Sequence, residues 1–325
     1  MPSIALLRDP EALPATLSRP VIAIGNFDGL HRGHRAVIDK TLALAHRLER
    51  PSAILTFEPH PRDFFSKGEP VFRLTPLPEK TVIAERLGLD GLIVLSFDAA
   101  MARLEAKAFI AEWLVARLGI AAVIVGTDFR FGARRLGNSE MLEREGRRLG
   151  FDVEILPEVA SGAGRFSSSA VRLALEAGDV AQACELLGHR WFVTAEVRHG
   201  EKRGRELGFP TANLRLDPSC RLRHGIYAVR TRIDGRSRDG VASFGRRPTF
   251  DDGAPLLEVF VFDFDGDLYG RSLNVEFVGW IRAEEKFESA ALLVARMRED
   301  ALGARELLAA AAHVADASIF EDEIA

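Results

Sequence analysis

The first half of the chain alternates between two apolar textures. Short segments at 21–25, 53–57, 92–96, 121–125 and 152–156 read as strands, the apolar run Val21-Ile22-Ala23-Ile24 as a buried parallel one. Between them, 34–49, 78–88, 104–118 and 139–149 carry apolar residues at helical spacing. Short strands separated by helices imply an α/β fold with a doubly wound parallel sheet. Two short helical segments follow, 169–177 and 179–187, split by Gly178-Asp179. Near residue 190 the pattern changes. Segments 191–198, 225–233, 238–244, 256–264 and 273–280 read as strands with turn signals between them, one being Asp234-Gly235, a hairpin-favouring pair. No strand–helix rhythm remains there, so this half predicts a small antiparallel barrel or sandwich. A last helix is expected over 288–312, before an acidic end at Glu321-Asp322-Glu323. The pattern divides the chain into 1–187, 188–312 and a tail of 313–325.

The stretch Gly25-Asn26-Phe27-Asp28-Gly29-Leu30-His31-Arg32-Gly33-His34 leaves the first predicted strand and enters a helix. In an open α/β sheet such a turn lies at the carboxyl end of the strands, where ligands bind. A helix start offers free N–H groups and the positive end of a dipole, which favour an anion such as phosphate. Two imidazoles three residues apart are placed to hydrogen-bond one phosphoryl group. The plain alternative is that the histidines cap the helix or face solvent.

Composition narrows the chemistry only a little. The 325 residues are 47% hydrophobic and 28% charged, with a net charge of −4. That balance argues against a general nucleic-acid binder. It leaves small anionic ligands open, because arginines cluster locally. The two cysteines, Cys184 and Cys220, exclude a disulfide framework. No stretch is long and apolar enough to span a bilayer, and Asp9 and Glu11 are unlike a secretory signal. A cytoplasmic location is expected, with small-molecule substrates and neither nucleic acid nor membrane as partner. A homo-oligomer is compatible with the sequence.

His31-Arg32-Gly33-His34 in this setting resembles the nucleotidyltransferase superfamily, a Rossmann-like fold whose members attack the α-phosphorus of a nucleoside triphosphate and expel pyrophosphate. Such chemistry needs positioning and charge neutralisation more than a protein nucleophile. Ser167-Ser168-Ser169-Ala170-Val171-Arg172 supplies a second candidate phosphate site, with hydroxyls at a helix start and an Arg one turn in. The alternative is an ordinary serine N-cap. The superfamily usually shows Ser-Ser-Thr-x-Ile-Arg here, so Ser169 and Val171 are conservative departures.

Two further segments follow the second and fourth strands. They are Thr56-Phe57-Glu58-Pro59-His60-Pro61-Arg62-Asp63-Phe64-Phe65 and Gly126-Thr127-Asp128-Phe129-Arg130-Phe131-Gly132. Their prolines and aromatics suit a slot for a flat ring system, or else loop packing against the core. His60 reads as a structural hydrogen-bond partner, since no second metal ligand stands at suitable spacing.

With these segments, Gly25 to about Leu187 resembles the FMN adenylyltransferase module of bacterial bifunctional riboflavin kinase/FAD synthetases. Leu74-Thr75-Pro76-Leu77 with Glu79-Lys80 is part of the match. The resemblance implies phosphate and nucleotide binding by Gly25, Asn26, Phe27, Asp28, Gly33, Ser168, Ser169 and Arg172, and charge stabilisation by His31 and His34. Flavin would meet Pro59, Pro61, Phe65 and Phe131. Asp128 would contact flavin, ribityl or a metal.

In the second half, Gly200-Glu201-Lys202-Arg203-Gly204-Arg205-Glu206-Leu207-Gly208-Phe209-Pro210-Thr211-Ala212-Asn213 combines glycines and basic residues, as a phosphate-cradling flap does. It is not a Walker A loop. Thr211 and Asn213, if extended, point to one face and offer two oxygens to a hard cation such as Mg²⁺. A polar loop with an Asx turn is the plain alternative. Glu258 puts one carboxylate into the apolar run Leu257-Glu258-Val259-Phe260-Val261-Phe262, either as a base for a bound alcohol or on a solvated strand face. These segments resemble the riboflavin kinase module, a small β-barrel. So do Gly225-Ile226-Tyr227-Ala228-Val229, Arg247-Pro248-Thr249-Phe250, Gly266-Asp267-Leu268-Tyr269-Gly270 and Glu285-Lys286-Phe287.

That resemblance implies Mg²⁺ at Thr211 and Asn213, a base at Glu258, and phosphate contacts from Gly200, Lys202, Gly204 and Arg205. Ser243 and Phe260 depart from the family's usual Asn and His. The expected activity is two-step: riboflavin and ATP give FMN, then FMN and a second ATP give FAD and pyrophosphate. The rivals are an adenylyltransferase with a weak or silent kinase, and a flavin- or nucleotide-binding regulator without turnover.

Overall fold

The computed structural model describes residues 4–66, 68–157, 160–161, 164–200, 204, 207–246, 255–311 and 318–320. Lys202, Arg205, the Arg247–Phe250 motif and nearly all of the acidic tail lie outside them. The chain divides into two compact units, Met1–Val71 with Lys80–Phe166, and Phe72–Glu79 with Ser167–Ala325. Compactness thus groups 167–187 with the barrel, whereas the sequence pattern counts it with the first half.

The first unit is built on a six-stranded parallel sheet. Its strands are β1 (Ala5–Arg8), β2 (Val21–Ile24), β3 (Ser52–Glu58), β4 (Gly91–Ser96), β5 (Ala122–Gly126) and β6 (Asp152–Leu156). Their spatial order is β1-β4-β3-β2-β5-β6. The longer helices here are α1 (Arg32–Leu48), α2 (Leu77–Arg86, which crosses into the second unit), α3 (106–117) and α4 (Ser139–Leu149). Strand β2 is buried on both faces, which is why it reads as an unbroken apolar run. Ile22 and Ile24 join the core under Phe109, Ile110 and Leu114 of α3. Val21 turns the other way, with Leu44 and Ala45 of α1. From β2 the chain proceeds to β3 on one side, and from β5 to β6 on the other. This change of direction makes the carboxyl end of β2 a topological switch point, where such sheets open a crevice.

Strand β1 is absent from the sequence reading. It is a four-residue edge strand of alternating exposure, pairing in parallel with β4. Four alternating residues carry too little period to stand out.

The second unit contains a closed barrel. Its strands are β7 (Phe192–Arg198), β8 (Ala212–Arg215), β9 (Gly225–Ile233), β10 (Arg236–Arg246), β11 (Pro255–Val261) and β12 (Ser272–Arg282), in the order β7-β8-β11-β10-β9-β12. Every pair is antiparallel. The β9–β10 hairpin turns at Asp234 (φ 51°) and Gly235 (φ 75°), the two left-handed positions expected of an Asp-Gly turn. Leu214, Tyr227, Val229, Phe244, Leu257, Val259 and Phe277 fill the core. The last helix, α7 (Ala290–Ala311), covers part of the outside with Ala304 and Leu308 against Ala228 and Phe262.

Two short helices precede the barrel, α5 (Ser168–Ala177) and α6 (Val180–Leu187). Val171, Leu175 and Leu187 share the barrel's core cluster with Phe72, Leu74 and Trp191. The Trp191 indole N–H donates to the carbonyl of Leu74 at 2.8 Å.

Candidate active sites

The first centre is the turn between β2 and α1. His31 is the N-cap of α1, and its Nδ1 accepts from the backbone N–H of His34 at 3.3 Å. A ring nitrogen that accepts carries no proton, so with Nδ1 accepting, the N–H of His31 lies at Nε2. The cap reading and the functional reading of this histidine are therefore compatible. The two imidazoles stack with centroids 3.8 Å apart and an interplanar angle of 14°. Gly33 makes this possible, because a Cβ there would sit 3.2 Å from Nδ1 of His31. Phe27 meets His34 edge-on at 5.3 Å.

Burial, then His31, then Lys80 hold the His34 imidazole well below its ordinary range, so it is neutral at neutral pH. Its Nδ1 is buried with no hydrogen-bond partner among the described residues.

The turn is strained and anchored at once. Phe27 (φ 47°) and Leu30 (φ 44°) are left-handed without being glycine, and both side chains are buried. Asp28 is also buried, while Asn26 is exposed and Gly25 is half-buried. The carbonyl of Asn26 accepts from Lys80 Nζ at 2.9 Å and from Thr56 Oγ1 at 3.1 Å. The sequence assigns Lys80 no role of its own. Its signal is a lysine within an otherwise amphipathic helix, which burial alone makes unusual.

Beyond β3, the His60 Nδ1 accepts from the N–H of Arg62 at 3.1 Å and caps the short helix Pro61–Phe65. Pro59 is exposed and Pro61 half-buried. Phe65 is 66% exposed and forms an aromatic group with Phe64 and Phe97, ring centroids 5.2–5.8 Å apart. Phe64 belongs to the aromatic segment read from the sequence, whereas Phe97 lies outside it. Phe131 does not join them: it is buried against Phe109 and stacked on Phe129. Asp128 is exposed after β5.

Ser167 is the N-cap of α5, accepting from the N–H of Ala170 at 3.2 Å. Ser168 and Ser169 open that helix. Arg172 is 8% exposed, and its Nε donates to the carbonyl of Phe72 at 2.7 Å. These three residues belong to the second compact unit, whereas His31 and His34 belong to the first.

The second centre lies on the barrel. Asn213 of β8 stands directly opposite Glu258 of β11, and Glu258 stands opposite Ser243 of β10. Strand β11 alternates buried and half-buried positions, and Glu258 takes a half-buried one, outside the barrel's apolar interior. Phe260 follows on the same face and meets Phe209 at 5.1 Å. Asn213 Nδ2 donates to the Thr211 carbonyl at 3.3 Å, which leaves Oδ1 as the acceptor. Gly200 packs on that carboxamide so closely that a Cβ would lie 2.5 Å from Nδ2. A Cβ at Gly204 would meet the Phe209 carbonyl at 2.3 Å and Thr211 Oγ1 at 3.4 Å. The fold thus gathers Gly200, Gly204, Thr211, Asn213 and Glu258.

The donor set fits a magnesium ion that takes most of its ligands from phosphate and water. Hydroxyl and amide oxygens are the ligands such an ion prefers. Among the described residues no group of three or more His, Cys, Asp or Glu could hold a metal by itself.

Residues 13–170 match the family model described as FAD synthetase, and residues 187–308 match the model described as riboflavin kinase. The chain is 40% identical over 280 residues to the bifunctional riboflavin kinase/FMN adenylyltransferase of Haemophilus influenzae, covering 86% of this chain and 91% of that one. The chain belongs to the bifunctional riboflavin kinase/FMN adenylyltransferase family. The Escherichia coli member is 39% identical over 287 residues, covering 88% and 92% of the two chains. A solved structure described as a macrolide-efflux protein from Streptococcus pneumoniae has a TM-score of 0.80 at 30% identity, covering 91% and 97%. Among the described residues of this chain, no helix is long and apolar enough to cross a membrane. Both activities in the family name have their own domain here, the adenylyl-transfer domain first and the kinase domain second.

Proposed function

We propose that the chain makes FMN and then FAD in the cytoplasm, using the two centres in turn. The observation that carries this reading is the pairing of Asn213 with Glu258 on the barrel, in a chain that also holds the stacked His31–His34 pair.

On the barrel, the riboflavin 5′-hydroxyl attacks the γ-phosphorus of ATP and ADP leaves. Glu258 accepts the hydroxyl proton as the new P–O bond forms. Thr211 Oγ1 and Asn213 Oδ1 would hold Mg²⁺, which when bound neutralises charge on the ATP phosphates. Gly200 and Gly204 keep the loop backbone close to these side chains. Lys202 and Arg205 steer the phosphates.

At the histidine turn, a phosphate oxygen of FMN attacks the α-phosphorus of a second ATP. The bond from that phosphorus to the bridging oxygen breaks, and pyrophosphate leaves. The Nε2–H of His31 and the neutral His34 hydrogen-bond the oxygens on which charge accumulates. Gly25, Asn26, Phe27, Asp28 and Gly33 shape the turn around the nucleotide, and Ser168, Ser169 and Arg172 hold its β and γ phosphates. Pro59, Pro61 and Phe65 bound the flavin ring, with Asp128 and Phe131 in the neighbouring loop.

The test is to incubate the protein with riboflavin and MgATP and to separate the flavins by chromatography. FMN followed by FAD is expected. FAD formed only from supplied FMN would mean a silent kinase, the outcome toward which Ser243 and Phe260 point. No product from either substrate would sink the enzyme reading. Glu258→Ala should stop FMN formation yet still convert supplied FMN to FAD.

A further inference from the structure

Lys80 is an ammonium group placed where a hydrocarbon would be expected. Its side chain is 1% exposed. Nζ donates to the Asn26 carbonyl at 2.9 Å and to Thr56 Oγ1 at 3.1 Å, and it lies 3.6 Å from a carboxylate oxygen of Glu58. Thr56 in turn donates to the same Asn26 carbonyl at 3.1 Å. A buried charge persists only where partners replace its hydration. Here the partners come from β3 and the histidine turn.

The held carbonyl has a particular position. It belongs to the residue just before Phe27, the first of two left-handed non-glycine residues in the turn. Strained backbone of this kind lasts only where its surroundings over-determine it. Buried Phe27 and Leu30 provide two fixings, and Lys80 with Thr56 provides the third.

We propose that Lys80 is a positioning residue for adenylyl transfer: it clamps the Asn26 carbonyl, fixes the turn that carries His31 and His34, and sets a buried positive charge against the backbone of that turn. Being wholly buried, it touches no substrate. The inference rests on the reading of this turn as the adenylyl-transfer centre. Its electrostatic part has a direct sign. Burial, His31 and Lys80 each push His34 toward its neutral form, and Glu58 on β3 is the acidic group facing Lys80 itself.

The test uses the full chain carrying Lys80→Met, the double variant Glu58→Gln with Lys80→Met, and Thr56→Val. The rate of FAD formation from FMN and ATP is measured across the pH range in which histidine titrates. FMN formation from riboflavin in the same samples reports that the barrel unit is folded, and circular dichroism with thermal unfolding reports it for the first unit. Lys80→Met should lower kcat for FAD by roughly 10²-fold, the cost of a small misplacement, with little change in KM for FMN. The acid limb of the profile should move to higher pH, because His34 loses one of the charges opposing its protonation. Thr56→Val should lower kcat in the same direction by less, and it keeps the test open if neither lysine variant folds. Kinase-active variants with wild-type kcat and profile would overturn the proposal, as would a uniform loss at every pH. His34→Ala is run in parallel. If it still makes FAD, the reading of the turn fails; if it does not while the Lys80 and Thr56 variants behave as wild type, only the role of Lys80 fails.

Discussion

Asn213 and Glu258 face each other across the β8–β11 ladder, so the carboxylate and the carboxamide share one face of the sheet. Side chains directly opposite on an antiparallel pair lie within about 5.5 Å at Cβ, close enough for both to reach one phosphoryl group. Glu258→Gln keeps the shape and removes the base. It should lower riboflavin phosphorylation by about 10²- to 10⁴-fold, the usual worth of a positioned general base. Conversion of supplied FMN to FAD should be untouched. Loss of both activities in a folded protein would break the proposed division of labour.

Gly200 is the next test of the same centre. A Cβ there would overlap the Asn213 carboxamide at 2.5 Å, so Gly200→Ala must displace that side chain or the loop. A displacement near 1 Å is expected to cost roughly 10² in kinase rate. Thermal stability should fall little, because the Asn213 side chain can swing away. A wild-type kinase rate in Gly200→Ala would show that the carboxamide position is not critical.

His31 caps α1 and, in the proposed function, also carries a donor for the phosphoryl group. The two roles separate by substitution. Asparagine is among the best N-caps, and alanine forfeits about 1 kcal/mol. His31→Asn should therefore be as stable as the parent, His31→Ala less stable by about 1 kcal/mol in urea. Both should lose FAD synthesis and accumulate FMN. FAD formation surviving in His31→Asn would reduce the histidine to a cap.

Glu79 is 4% exposed, and Thr194 N–H donates to its Oε1 at 2.6 Å. Burial pushes its carboxyl up to about 7, against the downward pull of the Thr194 N–H. Between the ordinary value of 4.5 and about 7, the folded chain holds a proton that the unfolded chain has lost. This contribution is full below 4.5 and disappears as pH rises through about 7, on the order of 3 kcal/mol in all. Glu79→Gln should remove that part of the pH dependence in urea unfolding, with its largest relative gain above neutral pH. An unchanged dependence would show that the carboxyl ionises normally.

How much of this was legible beforehand follows from which residues had local causes. The apolar runs marked β2 to β5, because strands covered on both faces are largely apolar, while β6 is a half-exposed edge strand that carries Asp152 and Glu154. Asp234-Gly235 marked its hairpin, because few residues tolerate two left-handed positions. The histidine motif, the serine-rich helix start and the Thr211–Asn213 pair were visible as short spacings. The same rules missed β1 and β8, each four residues long, which exist only through their neighbours' hydrogen bonds.

The sequence by itself determined the two-part architecture, the turn at Gly25–His34 and the motifs that carry the family resemblance. Only the tertiary structure decided that Glu258 stands opposite Asn213, that Phe131 is buried in the core, and that Lys80 reaches the Asn26 carbonyl from 54 residues away. Those are matters of register and long-range packing. Strand register is set between partners distant in sequence, and a buried lysine looks like a surface lysine until its neighbours are known.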